Sequence, residues 1–505
     1  MKKLNVAVMS LLATAAFTFN SCSTDDALTP GSGTSNQEAF LKTQIISSGE
    51  SEGTKTAQSN EFNAIAGEHE VNSGTLYITD ADKNIVFQKT LTTADWEKAK
   101  VPSESSAGRT TLEIPVKNVT FGVTYNVYFL ANTTDAAPWN GTYSATTKFT
   151  GEYGKPNQFA MFNQNDATAS ADAYQVTFTE ANKGKENAAT IQGGKAIKVE
   201  RIAARIDQPT SEAVQLKDYK ELMTPEEIAV LTEKQKEMMD NAIERVESIT
   251  LSRYAIANAA KSTYIMQHWG DNFSSFNTHA TAWWQPYGEF GTTTRKDNDA
   301  YFKAMASTTE GKQANFEYVF ENNVAGTDNA TSMYLEYTIK LKDIAGTTDP
   351  DFTDGTFYRF ANKIYTSIED IYKAYENQSD PFGKSTTATT KDERIAELKA
   401  ELKIVDGKTT ATEAELSAFR TNHTIEIFVG GKAYYKTTID DKFLSYTGRH
   451  LIQRNSVYQL NIKNVFNVGA DVPNGDPIII DPMYYMNVEV TVNPWVLNTI
   501  DVDLK

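Results

Sequence analysis

The sequence predicts a mainly β chain folded as two β-sandwiches, the second carrying helical insertions. Three observations predict it. Short segments of alternating apolar and polar residues recur from Phe40 to Ile206; the same pattern returns from Ser248 to the end of the chain; and two charged helical stretches interrupt only the second half. Alternation of period two places one face of each strand towards a core.

The first strand is Phe40, Leu41, Thr43, Ile45 and Ile46, followed by a polar stretch over residues 47–60. Residues 75–79 and 84–89 flank Asp80-Ala81-Asp82-Lys83, the pattern of a hairpin. Leu112, Ile114 and Val116 alternate, as do Val123, Tyr125, Val127 and Phe129, so each is expected to bury one face. Residues 174–179 and 196–206 complete the first set. Thr224-Pro225-Glu226-Glu227 then supplies an N-cap, a first-turn proline and a capping-box glutamate, with Ile228, Leu231, Met238 and Ala242 as one helical face packed on a sheet. Strands resume over 248–254, 315–321, 332–342 and 356–360, a second helix covers 391–402, and strands return over 424–429, 433–438 and 456–464. Near the end Val488, Val490 and Val492 alternate up to Asn493-Pro494-Trp495, and Ile500, Val502 and Leu504 alternate again.

Composition narrows the function. The 505 residues allow two to four domains, and 48 Lys and Arg against 65 Asp and Glu leave a net charge of -17. An acidic chain with no basic cluster is a poor ligand for nucleic acid or anionic lipid. The single cysteine, Cys22, excludes internal disulfides. It follows Lys2, Lys3, an apolar run over residues 4–19 and Phe19-Asn20-Ser21, which reads as a bacterial lipoprotein signal peptide. That run is too short and too abruptly polar at its end for a spanning helix. The Cys22 sulfur is expected to carry diacylglycerol, with residues 23–37 as a flexible tether. The acidic pair Asp25-Asp26 resembles signals that send lipoproteins of some Gram-negative anaerobes to the outer face of the outer membrane.

Catalytic signatures are weak. Gly49-Glu50-Ser51-Glu52-Gly53 matches the nucleophile-elbow string, but no apolar helix follows it. Gly383-Lys384-Ser385 lacks the upstream glycine of a phosphate loop. His69, His268, His279, His423 and His450 show no zinc spacing. Asp80 with Asp82, and Asp471 with Asp476, suit turns at least as well as calcium. The expectation is a non-enzymatic protein with no cofactor and no metal.

Several stretches together resemble the fimbrillins of type V pili, within them the Mfa-type major fimbrial subunits. They are the lipoprotein start, residues 124–132 (Thr-Tyr-Asn-Val-Tyr-Phe-Leu-Ala-Asn), residues 199–206 (Val-Glu-Arg-Ile-Ala-Ala-Arg-Ile), Gly430-Gly431-Lys432-Ala433-Tyr434-Tyr435, the Arg-Asn-x-x-Tyr segment at Arg454-Asn455-Ser456-Val457-Tyr458, and the strand ending Asn493-Pro494-Trp495. The helical insertions match less well.

The resemblance implies two transthyretin-like β-sandwich domains and polymerisation by protease-triggered strand exchange. On that reading residues 1–21 are the signal peptide and 22–55 the tether, removable first strand and propeptide. Residues 56–208 form the N-terminal sandwich and 209–505 the C-terminal one with its donor strand. The removable strand carries Phe40, Leu41, Thr43 and Ile45; the donor carries Val488, Val490, Val492, Trp495, Ile500, Val502 and Leu504. The loop where the family offers arginine has none, so cleavage falls to Lys55, leaving Thr56 as the new N-terminus. Implied partners are further copies of the chain, accessory fimbrial subunits, a trypsin-like surface protease, the outer membrane through Cys22, and host or bacterial receptors. Residue pattern alone reads both end segments as completing their own sheets. Two other roles fit the sequence: a fimbrial anchor or tip component, and a surface glycan-binding lipoprotein using Trp269 and Trp283-Trp284.

Overall fold

The computed structural model describes residues 37–47, 68, 70–105, 109–132, 142–144, 159–163, 174–260, 262–265, 268–269, 276–277, 283–284, 302–306, 315–326, 330–344, 346–376, 381–382, 387–441, 449–473 and 486–494. Cys22, Lys55, Thr56, Trp495, Ile500, Val502, Leu504, His69, His279, Asp476 and the strings 49–53 and 383–385 lie outside these residues. The expected fold class holds: the chain is mainly β, with several sheets, and its longest described helices follow residue 208.

In chain order the first part comprises β1 (Gln37–Ser47), β2 (Gly74–Thr79), β3 (Ile85–Leu91), α1 (Thr93–Ala99), β4 (Arg109–Val119), β5 (Thr124–Ala131), β6 (Thr142–Ser144), β7 (Met161–Asn163), β8 (Gln175–Thr177), β9 (Ala189–Thr190) and β10 (Ile197–Arg201). All of these strands except β6 form one nine-stranded sheet of order β3-β2-β5-β7-β10-β1-β4, with β8 added to β5 and β9 to β1. The β2–β3 hairpin turns where expected. The Asp80 carboxylate accepts hydrogen bonds from the Asn84 backbone N–H (2.8 Å) and Nδ2 (3.1 Å), and Lys83 sits at φ 66°, so this aspartate serves the turn.

Two expectations change here. β5 buries both faces rather than one, every residue from Tyr125 to Ala131 being buried. It lies inside the sheet between β2 and β7, so its apolar run follows the rule for a central strand. The segment 196–206 is not one strand: β10 belongs to the first sheet, whereas β11 (Ala203–Asp207) joins a second. The chain therefore crosses between sheets at buried Ile202, ahead of the division expected at 208/209.

The second sheet has five strands: β12 (Thr210–Ser211), Ser456–Val465, β11 and Phe316–Phe320, with Met486–Pro494 added to Ser456–Val465. A neighbouring four-stranded sheet places Ser332–Leu341 between Val246–Ala257 and Lys432–Thr438. Ile206, Ile249, Leu335, Tyr435, Tyr458 and Leu460 share one core. The stripe expected on one helix is split: Ile228 lies in α3 (Pro225–Ala229), Leu231 in the link that follows, and Met238 and Ala242 in α4 (Glu233–Arg245), all after a short α2 (Tyr219–Leu222). A second capping box, Thr232 with Gln235, restarts the helix after the expected box at Thr224 and Glu227.

The helices Ile368–Ala374, Lys391–Glu401 and Glu413–His423 have their own core of Ile371, Leu398, Phe419 and Tyr358. They are inserted between two strands that pair directly, Ser332–Leu341 and Lys432–Thr438, so the sheet closes behind them. Gly431 allows the closure. It stands at φ 69°, and a Cβ there would lie 2.5 Å from the Ile339 carbonyl oxygen.

Helix α1 was not foreseen from the apolar pattern, being held by a Thr92–Asp95 capping box and by Trp96, which is buried 5.8 Å from the Phe129 ring. Trp96→Ala is expected to lower the unfolding free energy by about 3–5 kcal/mol. Urea titration followed by circular dichroism reads that shift, with the denaturant slope unchanged.

Candidate functional site

Alternation along β1 sends Ala39, Leu41, Thr43 and Ile45 into the core, while Phe40, Lys42 and Gln44 occupy the half-exposed face. Phe40 thus belongs to the strand but not to its buried row. On one edge β1 pairs antiparallel with β4 from Gln37 opposite Val119 to Ile46 opposite Arg109. On the other it pairs parallel with β9 through Leu41–Ala189 and Lys42–Thr190, and with β10 through Ile45–Ile197, Ile46–Lys198 and Ser47–Val199. Both backbone edges of the first strand are therefore occupied.

Across the β4 ladder the buried row meets Val116, Ile114 and Leu112, all fully buried. Burying Leu41 and Ile45 contributes roughly 1.5–3 kcal/mol each. The outer face adds the Lys42 ammonium, 2.5 Å from Glu104, and a Gln44 Nε2 hydrogen bond to Thr111 Oγ1 at 3.3 Å. Such half-exposed contacts add little.

At the other end, the strand Met486–Pro494 pairs antiparallel with Ser456–Val465. Val488 stands opposite Ile462, Val490 opposite Leu460 and Val492 opposite Tyr458. In the single chain these three valines complete their own sheet, and among the described residues their strand has no second neighbour. The two candidate segments sit in different sheets and are not brought together.

The region between the sheets holds what sequence reasoning missed. Glu68, Arg201, Arg205 and Asp207 are all buried. Arg205 donates from Nε to Asp207 Oδ1 (2.6 Å) and from an Nη to Glu68 Oε1 (3.1 Å), while Tyr318 donates to Glu68 Oε1 (2.8 Å). Arg201 donates to the Glu68 carbonyl (2.6 Å) and to Asn455 Oδ1 (2.9 Å). Burial pulls the Arg201 guanidinium down to about 10, which leaves it charged at neutral pH, and pushes the Asp207 carboxyl up. The signal was present: arginines inside an apolar alternating strand must find buried acceptors.

The Arg-Asn-x-x-Tyr segment meets this cluster. Arg454 donates to both Glu321 carboxylate oxygens (2.9 and 2.6 Å), to Thr263 Oγ1 (3.0 Å) and to the Ile265 carbonyl (2.7 Å). Asn455 adopts φ 58°, which asparagine tolerates well, and its N–H donates to the Ala203 carbonyl at 2.8 Å. Tyr458 accepts from the Gln453 N–H (2.7 Å) and donates to Asp441 (3.0 Å). Two of the segments quoted for the family resemblance, 199–206 and 454–458, thus meet at one junction between sheets.

His423 pairs with Glu401 (3.0 Å) and His450 with Asp440 (2.9 Å), and among the described residues no group of three or more His, Cys, Asp or Glu could hold a metal ion.

The architecture is that of a mainly β protein with two sheet cores joined by a buried polar hinge, its first strand filling a gap in its own sheet. Residues 426–501 match the family described as the major fimbrial subunit protein type IV, fimbrillin, C-terminal, and the resemblance to fimbrillins holds over that region. Among solved structures the chain is similar to a candidate cell adhesion protein from Parabacteroides distasonis ATCC 8503, with 13% identity, 92% of this chain and 99% of that chain covered, and a TM-score of 0.45. It is similar to a fimbrilin from Porphyromonas gingivalis W83, with 14% identity, 91% and 98% covered, and a TM-score of 0.42. A candidate cell adhesion protein from Bacteroides eggerthii DSM 20697 gives 11% identity, 92% and 98% covered, and a TM-score of 0.43. No curated protein matches the chain.

Removing Arg205 takes the ion-pair partner from two buried carboxylates, Glu68 and Asp207. Arg205→Ala is expected to cost about 3–5 kcal/mol of stability, measured by urea titration.

Proposed function

We propose that this chain is a structural, non-enzymatic subunit of a cell-surface fimbria, exported as a lipoprotein and assembled by strand exchange after proteolysis. The observation that carries the reading is the seat of β1. It is the first described strand, yet it lies inside a sheet with both edges paired. Its departure would leave unpaired backbone groups on β4, β9 and β10 beside a row of apolar side chains. An extended segment from a second copy satisfies those groups by strand addition. The fimbrillin match over residues 426–501 supports a fimbrial structural subunit.

In this scheme lipid on Cys22 delivers the precursor to the outer membrane, and a trypsin-like surface protease cuts between Lys55 and Thr56. The first strand, with Phe40, Leu41, Thr43 and Ile45, then leaves together with the lipid. Because Val488, Val490 and Val492 are paired at home, Trp495, Ile500, Val502 and Leu504 reach a neighbouring copy first. The valines follow only if their strand leaves Ser456–Val465. Among the described residues no helix is long and apolar enough to cross a membrane. The assembled fimbria would display the chain for adhesion.

Trypsin-treated soluble protein is expected to form a ladder of noncovalent oligomers on native electrophoresis, and Lys55→Gln to delay it. Deletion of residues 488–505 should abolish the ladder. A ladder that persists after the deletion rules out the C-terminal donor. Mass spectrometry of surface material separates a shaft subunit, starting at Thr56, from an anchor that keeps acylated Cys22.

A further inference from the structure

The buried row of β1 is apolar at Ala39, Leu41 and Ile45 and polar at Thr43 and, at its end, Ser47. Thr43 is 3% exposed, and among the described residues its hydroxyl has no hydrogen-bond partner. Its cross-strand neighbour is fully buried Leu112, and the row continues through Leu41 and Ile45 into the same core. A hydroxyl taken from water into such a place without a partner weakens the hold of the strand that carries it.

The backbone is weakest at the same point. The β4 ladder runs past Thr43 without interruption, but on the opposite edge pairing falls into two patches, Leu41–Lys42 against β9 and Ile45–Ser47 against β10. Thr43 and Gln44 lie between them, where the partner chain leaves the strand conformation through a short turn at Gln192–Gly194, with Gly193 at φ 73° and Gly194 at φ 65°. Side-chain mismatch and ladder gap coincide.

We infer that Thr43 is the built-in release point of β1, and that the groove at this position favours a valine-sized apolar side chain in the strand that replaces it. The inference rests on the strand-exchange reading above and names what regulates it. Valine has the shape of threonine with a methyl group for the hydroxyl, so a strand presenting it fills the same space and leaves no polar atom stranded. The first strand is thereby a deliberately inferior occupant: held well enough to fold the precursor, and outcompeted by an apolar strand from a second copy once the covalent link is cut.

The test uses full-length chains carrying Thr43, Thr43→Val and Thr43→Ser, each cut with limiting trypsin, with loss of the N-terminal fragment followed by native mass spectrometry. Thr43→Val is expected to slow fragment loss about tenfold, and Thr43→Ser, which keeps the hydroxyl and loses a methyl, to speed it. Fragment loss from Thr43→Val at or above the parent rate overturns the inference. Uncleaved chains give an independent reading by urea titration. A higher midpoint for Thr43→Val supports the mismatch even if the parent never releases its strand, which would sink the exchange scheme alone. An equal or lower midpoint overturns the mismatch while leaving that scheme standing.

Discussion

Between β4 and the β9–β10 edge there is room for one strand, and the nine-stranded sheet is continuous only while something fills it. In the single chain β1 does so, pairing on both edges and burying Ala39, Leu41, Thr43 and Ile45. A gap there would leave two rows of backbone groups without partners, which is costly inside a fold. The sheet therefore cannot lose its first strand without gaining another. Strand-swapping polymers exploit that constraint: each subunit stays incomplete until a neighbour completes it.

The junction is independent of the strand that the proposed exchange would remove. β1 pairs with β10 only up to Val199, and two residues later Arg201 enters a buried polar cluster that includes Glu68 and Asn455. Glu68 lies C-terminal to the cleavage proposed at Lys55, so under that proposal its bonds to Arg205 and Tyr318 would stay with the larger fragment. The cluster ties Arg201, at the end of β10, to Asn455 beside a strand of the second sheet, and Arg205 of β11 to Glu68. Buried ion pairs of this kind add little net stability but penalise any alternative arrangement of the sheets.

Much of this was legible in the sequence where one physical signal acted alone. β4 and the strand Ser456–Val465 follow their period-two pattern, the β2–β3 hairpin turns where expected, and the Thr224–Glu227 capping box starts α3. Legibility failed where tertiary context competed. β5 reads as one-sided because tyrosine and asparagine interrupt its apolar run, yet its place inside the sheet buries them all. The break at Ile202 has no local marker, since both halves are equally good strands and only their partners differ. Glu68 was invisible for a related reason: its acceptors' partners are more than a hundred residues away in the chain. Of the proposed exchange site, the buried row of β1 is readable directly from its alternation, whereas nothing in the sequence sets Thr43 apart from an ordinary strand residue.

The central claim concerns the identity of one strand, and a structure of the assembled filament tests it most directly. The account predicts that the strand between Arg109–Val119 and Ile197–Arg201 belongs to a second copy, with side-chain density following its C-terminal sequence. Density there that follows Gln37–Ser47 of the same chain would contradict it.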